Sequence, residues 1–181
     1  SGSSILESSS GTITLTATLS EIADAAVTVT LSGSGAAAAG ADYVSLSSIT
    51  VAAGSATGTT NFTPTDDAIY EGDEVATVAI SSVSGAGATE NGSQSVSITV
   101  IEDESAPTVS LTSSNSSISE SSSSAITLTA TLSQIADEAV TVSFSTSGTA
   151  TEGTDYASLS SITIAAGSAT GTTNFTPTDD A

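Results

Sequence analysis

Five carboxylates fall within nine residues, Asp66-Asp67-Ala68-Ile69-Tyr70-Glu71-Gly72-Asp73-Glu74. The chain has no Lys, no Arg and no His, so none of its own side chains can neutralise them. Two unit charges about 4 Å apart repel by roughly 1 kcal/mol in water and about 4 kcal/mol near a protein surface. A folded loop that holds several of them calls for a cation from outside. With no imidazole or thiolate available, the ligands are oxygens only. That set suits a hard cation, and Ca²⁺ is the usual one. The bland alternative is a solvated acidic turn.

The missing residue types also limit other chemistry. Without His, Lys, Cys or Arg, the usual general bases, Schiff-base amines, thiol nucleophiles and oxyanion clamps are absent, and no enzymatic role is expected. A formal charge of −20 with no basic residue speaks against nucleic acid and against anionic lipid as partners. No apolar run approaches the roughly 18 residues of a membrane span, so no direct membrane insertion is expected. The chain has three Phe, three Tyr and no Trp or Met, so its cores are expected to be built from Ala, Val, Ile and Leu. Small side chains bury little area each, at about 25 cal/mol per Å². A metal that binds only the folded state would add to that stability.

The acids recur in a duplicated sequence. Ile13-Thr14-Leu15-Thr16-Ala17-Thr18-Leu19-Ser20 returns as Ile126-Thr127-Leu128-Thr129-Ala130-Thr131-Leu132-Ser133. Asn61-Phe62-Thr63-Pro64-Thr65-Asp66-Asp67 returns as Asn174-Phe175-Thr176-Pro177-Thr178-Asp179-Asp180, at the same offset of 113 residues. Residues 1–68 align with residues 114–181 without a gap, and 15 of those 68 positions differ. Self-similarity at a fixed period marks repeat architectures, and this period is long enough for a whole domain. We expect repeat 1 over residues 1–104, lacking its first strand, and repeat 2 over residues 105–181, lacking its last two strands. This phase suggests a window from a longer tandem array. The alternative is a subunit whose open half is completed by a neighbour.

The elements that must position the acids read as strands. Ile13, Leu15, Ala17 and Leu19 alternate with Thr14, Thr16 and Thr18, and Val27, Val29 and Leu31 repeat the pattern. So do Ala76, Val78 and Ile80, and Val96, Ile98 and Val100. Gly- and Ser-rich breaks separate the runs, and branched Thr suits the wet face of a sheet. The expectation is an all-β chain of tandem antiparallel sandwiches.

Gly40-Ala41-Asp42-Tyr43, the acidic segment 66–74 and Ile98-Thr99-Val100-Ile101-Glu102-Asp103-Glu104 together resemble the Calx-beta domain. Gly148-Thr149-Ala150-Thr151-Glu152-Gly153-Thr154-Asp155-Tyr156 resembles it again in repeat 2. The resemblance implies an immunoglobulin-like sandwich with Ca²⁺ held in loops at one end. Such domains occur in sodium–calcium exchangers, in integrin β4 and in very large bacterial surface and secreted proteins. Carried onto this sequence, it implies Glu7, Asp42, Asp66, Asp67, Glu71, Glu74, Glu102, Asp103 and Glu104 as ligands in repeat 1, with the carbonyl of Ile69. In repeat 2 it implies Glu120, Asp155, Asp179 and Asp180. The chain departs from the family pattern at Glu102-Asp103-Glu104, where three Asp are common, and at Ala68, where Asp is common. Asp73 is expected to support the site or to face solvent.

Three roles follow as expectations. The first is a Ca²⁺-stiffened extender segment of an extracellular fibre or adhesin, whose partners are neighbouring repeats. The second is a filament subunit that completes its open sandwich with strands from homotypic chains. The third is a Ca²⁺-dependent module that binds glycan or a cell surface. Near-identical copies favour the spacer.

Overall fold

The computed structural model describes residues 3–179. They form twelve β-strands and, among the described residues, no helix. The chain divides into two compact units, Ser1–Asp67 with Gly72–Asp103, and Ala68–Glu71 with Glu104–Ala181.

The first unit holds β1 (Ser3–Leu6), β2 (Ile13–Thr18), β3 (Val27–Gly35), β4 (Ile49–Val51), β5 (Thr57–Phe62), β6 (Glu74–Ser84) and β7 (Ser95–Ile101). One sheet runs in the order β1-β7-β6-β3-β4, and β2 pairs with β5 in the other. The neighbours pair antiparallel except β1 and β7, which run parallel in the register Ser3↔Ile98 to Leu6↔Ile101. The alternation in sequence becomes the two faces of each strand. In β2, Ile13, Leu15 and Ala17 are half-buried while Thr14, Thr16 and Thr18 face out. Ile5, Ala76, Val78, Ile98 and Val100 pack with Phe62 and the flanking Ile13 and Leu15. Val27, Val29, Ile49 and Val51 form an adjoining cluster that Leu15, Ala17 and Leu19 cover. The unit is a β-sandwich with a core of small aliphatic residues around one aromatic pair.

The second unit holds β8 (Val109–Ser113), β9 (Ile126–Leu132), β10 (Val140–Val142), β11 (Ile162–Ile164) and β12 (Thr170–Phe175). Its sheets run β12-β9-β8 and β10-β11. Ala130, Leu132, Ile162 and Ile164 form its core. The register of β9 on β12, Ile126↔Phe175 to Thr131↔Thr170, repeats that of β2 on β5, Ile13↔Phe62 to Thr18↔Thr57.

One glycine has the same task in both units. A Cβ at Gly58 would lie 2.5 Å from the Thr50 carbonyl oxygen, and one at Gly171 would lie 2.7 Å from Ile162 Cγ2. Bare backbone there lets β5 and β12 cross close over β4 and β11. Gly58→Val is therefore expected to lower stability by about 1–3 kcal/mol through overpacking. Guanidinium unfolding of the variant checks this, with Gly171→Val expected to act alike on the second unit.

Candidate metal centre

The parallel pairing of β1 with β7 decides where the acids go. Parallel strands end at the same end of a sheet, so Glu7, just past β1, meets Glu102 and Asp103, just past β7. The ladder extends one residue beyond β1, with Glu7 N–H donating to the Ile101 carbonyl at 3.0 Å. β6 runs the other way and starts at this end, with Glu74 opposite Val100. β3 finishes at this end, with Gly35 opposite Ala76, and leads into the loop that carries Asp42. The segment after β5 is tied to that loop by Val44 N–H on the Thr63 carbonyl (2.9 Å) and Thr65 N–H on the Asp42 carbonyl (3.0 Å). Topology thus brings acids from four separate stretches of sequence to one pole of the first unit.

At that pole, Glu7, Glu102 and Asp103 each present a carboxylate oxygen within 4.8 Å of the others. Asp67 presents one within the same distance of Glu7. Glu7 is 4% exposed, a buried carboxylate in a chain with no basic side chain. Two carboxylates at such a separation repel by about 3 kcal/mol at an effective dielectric of about 20. Backbone donors offset part of this. Asp67 N–H donates to Glu7 Oε1 at 3.2 Å, and Gly72 N–H donates to Glu102 Oε2 at 2.8 Å. Asp103 N–H donates to Glu102 Oε1 at 3.1 Å. An all-oxygen group of this kind fits a hard divalent cation.

Asp73 anchors the pole from behind, its Oδ1 accepting from Glu102 N–H at 3.1 Å. Gly72 also contributes to the pole, although its residue type carries no ligand side chain. Its φ of +81° turns its N–H toward Glu102, a conformation natural to glycine. The clue was a glycine set between two acids in Glu71-Gly72-Asp73.

The other candidates are placed as follows. Asp42 is buried, and its Oδ2 accepts from Ala38 N–H at 2.5 Å, which closes the loop before Tyr43. Asp155 repeats this on Thr151 N–H at 2.5 Å. Burial, and after it the charge of Asp42, push the Tyr43 phenol above its usual range. Tyr43 stacks on Phe62 with centroids 4.6 Å apart, as Tyr156 does on Phe175 at 4.8 Å. Asp66 is exposed and Glu74 half-buried, and neither joins a described carboxylate group. Ile69 and Glu71 lie in the 68–71 segment of the second unit, and Glu104 opens that unit's main stretch. In repeat 2, Glu120 and Asp179 are exposed, and Asp180 lies outside the described residues. Repeat 2 shows no carboxylate group of its own among the described residues.

The Calx-beta domain family matches the chain twice, at residues 3–104 and at residues 102–180. No curated protein matches it. Among solved structures, calcium binding domain CBD12 of CALX1.1 is similar with a TM-score of 0.49 at 16% identity, over 99% of this chain and 74% of that one. CBD12 from CALX1.2 is similar with a TM-score of 0.48 at 16% identity, over 97% of this chain and 71% of that one. The apo form of the Calx CBD1 domain gives a TM-score of 0.44 at 19% identity, over 56% of this chain and 91% of that one.

Glu7→Gln keeps the shape of the buried side chain and removes its charge. In chelator the variant is expected to be more stable than the parent by about 1 kcal/mol or more, because repulsion is relieved. In excess divalent cation the order should reverse. Thermal melts under the two conditions check this, with Glu138→Gln on the exposed surface as the silent control.

Proposed function

The chain belongs to the Calx-beta domain family, and on that premise we propose that it is a run of Ca²⁺-stiffened structural repeats in a long extracellular fibre or adhesin. The observation that carries this reading is the convergence of buried Glu7 with Glu102 and Asp103 in a chain that has no basic residue. Glu7, Asp67, Glu102 and Asp103 are the residues assigned to hold Ca²⁺. In sequence, Glu102-Asp103-Glu104 runs directly into Ser105-Ala106-Pro107. An ion held by Asp103 therefore fixes the first residues of the connection to the next repeat.

The role is non-catalytic, supported by a composition that lacks His, Lys, Arg and Cys. Two copies that differ at 15 of 68 aligned positions suit a spacer, in which each repeat does the same mechanical work. The partners on this reading are neighbouring repeats. On this reading the setting is extracellular, where modules bind Ca²⁺ at about 10⁻⁴ to 10⁻³ M.

A second reading has its own observation. In the first unit β2 pairs with β5 alone among the described residues. A cleft of about 1300 Å³ opens beside it, lined by Leu15, Leu19, Val78 and Ile80 among others. In the second unit β8 covers the equivalent edge, with Val109 opposite Leu132. A strand of the β8 type lent by another chain would fill the cleft and build a filament. Sedimentation that depends on concentration, and that added Pro107–Ser113 peptide suppresses, would favour this reading.

Calorimetric titration of Ca²⁺ tests the first reading. The expected Kd is about 10⁻⁴ to 10⁻³ M. At 100 times Kd the stabilisation should be about 2.7 kcal/mol for one site, seen as a higher melting temperature that chelator reverses. No heat of binding, and the same melting temperature with and without chelator, would sink it.

A further inference from the structure

The second unit carries Ala68–Glu71 as an added edge on its loop 134–137. Tyr70 N–H donates to the Ile135 carbonyl at 2.9 Å, and Asp137 N–H donates to the Tyr70 carbonyl at 3.2 Å. These two bonds make a parallel bridge between Tyr70 and Ala136. Gln134 Nε2 adds a long contact of 3.5 Å to the Ala68 carbonyl. Under this cover Ala136 is 5% exposed and Ile135 is half-buried.

Repeat 1 has the same loop, with Ile22-Ala23-Asp24 at the positions of Ile135-Ala136-Asp137. Its backbone is anchored identically. Gly54 N–H donates to the Ala23 carbonyl at 2.8 Å, and Gly167 N–H donates to the Ala136 carbonyl at 2.8 Å. The loop thus takes its shape from its own unit and presents it ready-made. Here the cover is missing. Ile22 is 65% exposed, Ala23 is only half-buried, and no described backbone hydrogen bond reaches the Ile22 carbonyl or the Asp24 N–H.

We infer that the Glu21–Asp24 loop is a docking site for an Ala-Ile-Tyr-Glu segment of a further repeat of this kind. The incoming tyrosine N–H donates to the Ile22 carbonyl, and its carbonyl accepts from Asp24 N–H, as Tyr70 does on the equivalent loop. This is strand addition at the scale of one bridge, with main-chain bonds supplying the fit and a covered isoleucine the apolar gain. The inference rests on the reading of the chain as part of a tandem array. One substitution separates the two loops. Glu21 stands where Gln134 donates an amide, and a carboxylate cannot donate. The Glu21 loop therefore grips less firmly than the Gln134 loop, and Glu21→Gln restores the third contact.

Amide hydrogen exchange tests this on two proteins. One is the 181-residue chain, and the other is the same chain preceded in phase by a further copy of residues 1–113. In the parent, the Asp137 amide should exchange slowly and the Asp24 amide fast. In the extended protein the corresponding Asp24 amide should slow by about tenfold or more, since a closed bridge must open before exchange. Glu21→Gln should slow it further, and Ile22→Asp should return it to the parent rate with Val29 protection unchanged. An Asp24 amide equally fast in both proteins overturns the inference, as does an unprotected Asp137 in the parent. Ca²⁺ heats measured on the same samples report the spacer reading separately.

Discussion

The parallel contact between β1 and β7 is the constraint on which the acidic pole depends. An antiparallel first strand in the same place would end at the opposite pole and carry Glu7 away from Glu102 and Asp103. Because β1 runs parallel, the two strands deliver their trailing acids together, and the bond from Glu7 N–H to the Ile101 carbonyl holds the Glu7 backbone beside the end of β7. Backbone N–H groups of Asp67, Gly72 and Asp103 then take up oxygens of Glu7 and Glu102. Such bonds favour the charged form of a carboxylate. They do not remove the mutual repulsion, and no side chain in the chain can. The pole is organised while no basic side chain balances its charge, an arrangement that suits a hard cation.

Comparison of the two copies shows how far a site of this kind depends on its surroundings. The residues at Glu7 and Glu120 lie in near-identical stretches, yet the first is buried and the second exposed. Glu7 follows a strand paired to β7, whereas the segment before Glu120 forms no strand. Likewise β3 runs for nine residues and pairs with β6 along most of them, while β10 stops after three. What the copies do share is the part each can build alone. This comprises the paired central strands, the close glycine crossing, the stacked Tyr–Phe pair, and the aspartate that caps its own loop. Local sequence specifies the platform, and strand partners convert it into a carboxylate pole.

The same division explains what could be read from the chain before its fold. The all-β class, the inward faces of β2, β3, β6 and β7 and the duplication follow from alternation and period, because both are local signals. That acids at 7, 67, 102 and 103 gather came from family resemblance, since contacts across some 95 residues leave no mark in periodicity. The roles of Gly72 and Asp73 were harder to see. Each acts through a backbone-to-side-chain bond across the pole, and nothing in their spacing announces a partner at Glu102. Asp42 carries the opposite lesson. The family resemblance implied it as a ligand, and one of its oxygens closes a tight turn on Ala38.

A core of small side chains makes a cation more consequential than it would be in a larger domain. Each sandwich relies on Val, Ile and Ala, with one stacked aromatic pair, so the stabilisation from apolar burial is modest. Folding must also draw several acids together at a cost of a few kcal/mol. The two effects oppose each other in the metal-free chain, and binding shifts the balance through the folded state alone. On the proposed reading, a repeat of this design is soft where Ca²⁺ is scarce and firm where it is plentiful. The chain is also free of lysine and arginine, so no internal ion pair can imitate the metal-bound state. On the spacer reading, stiffness then follows the medium wherever the carboxylates gather as Glu7, Glu102 and Asp103 do in the first unit.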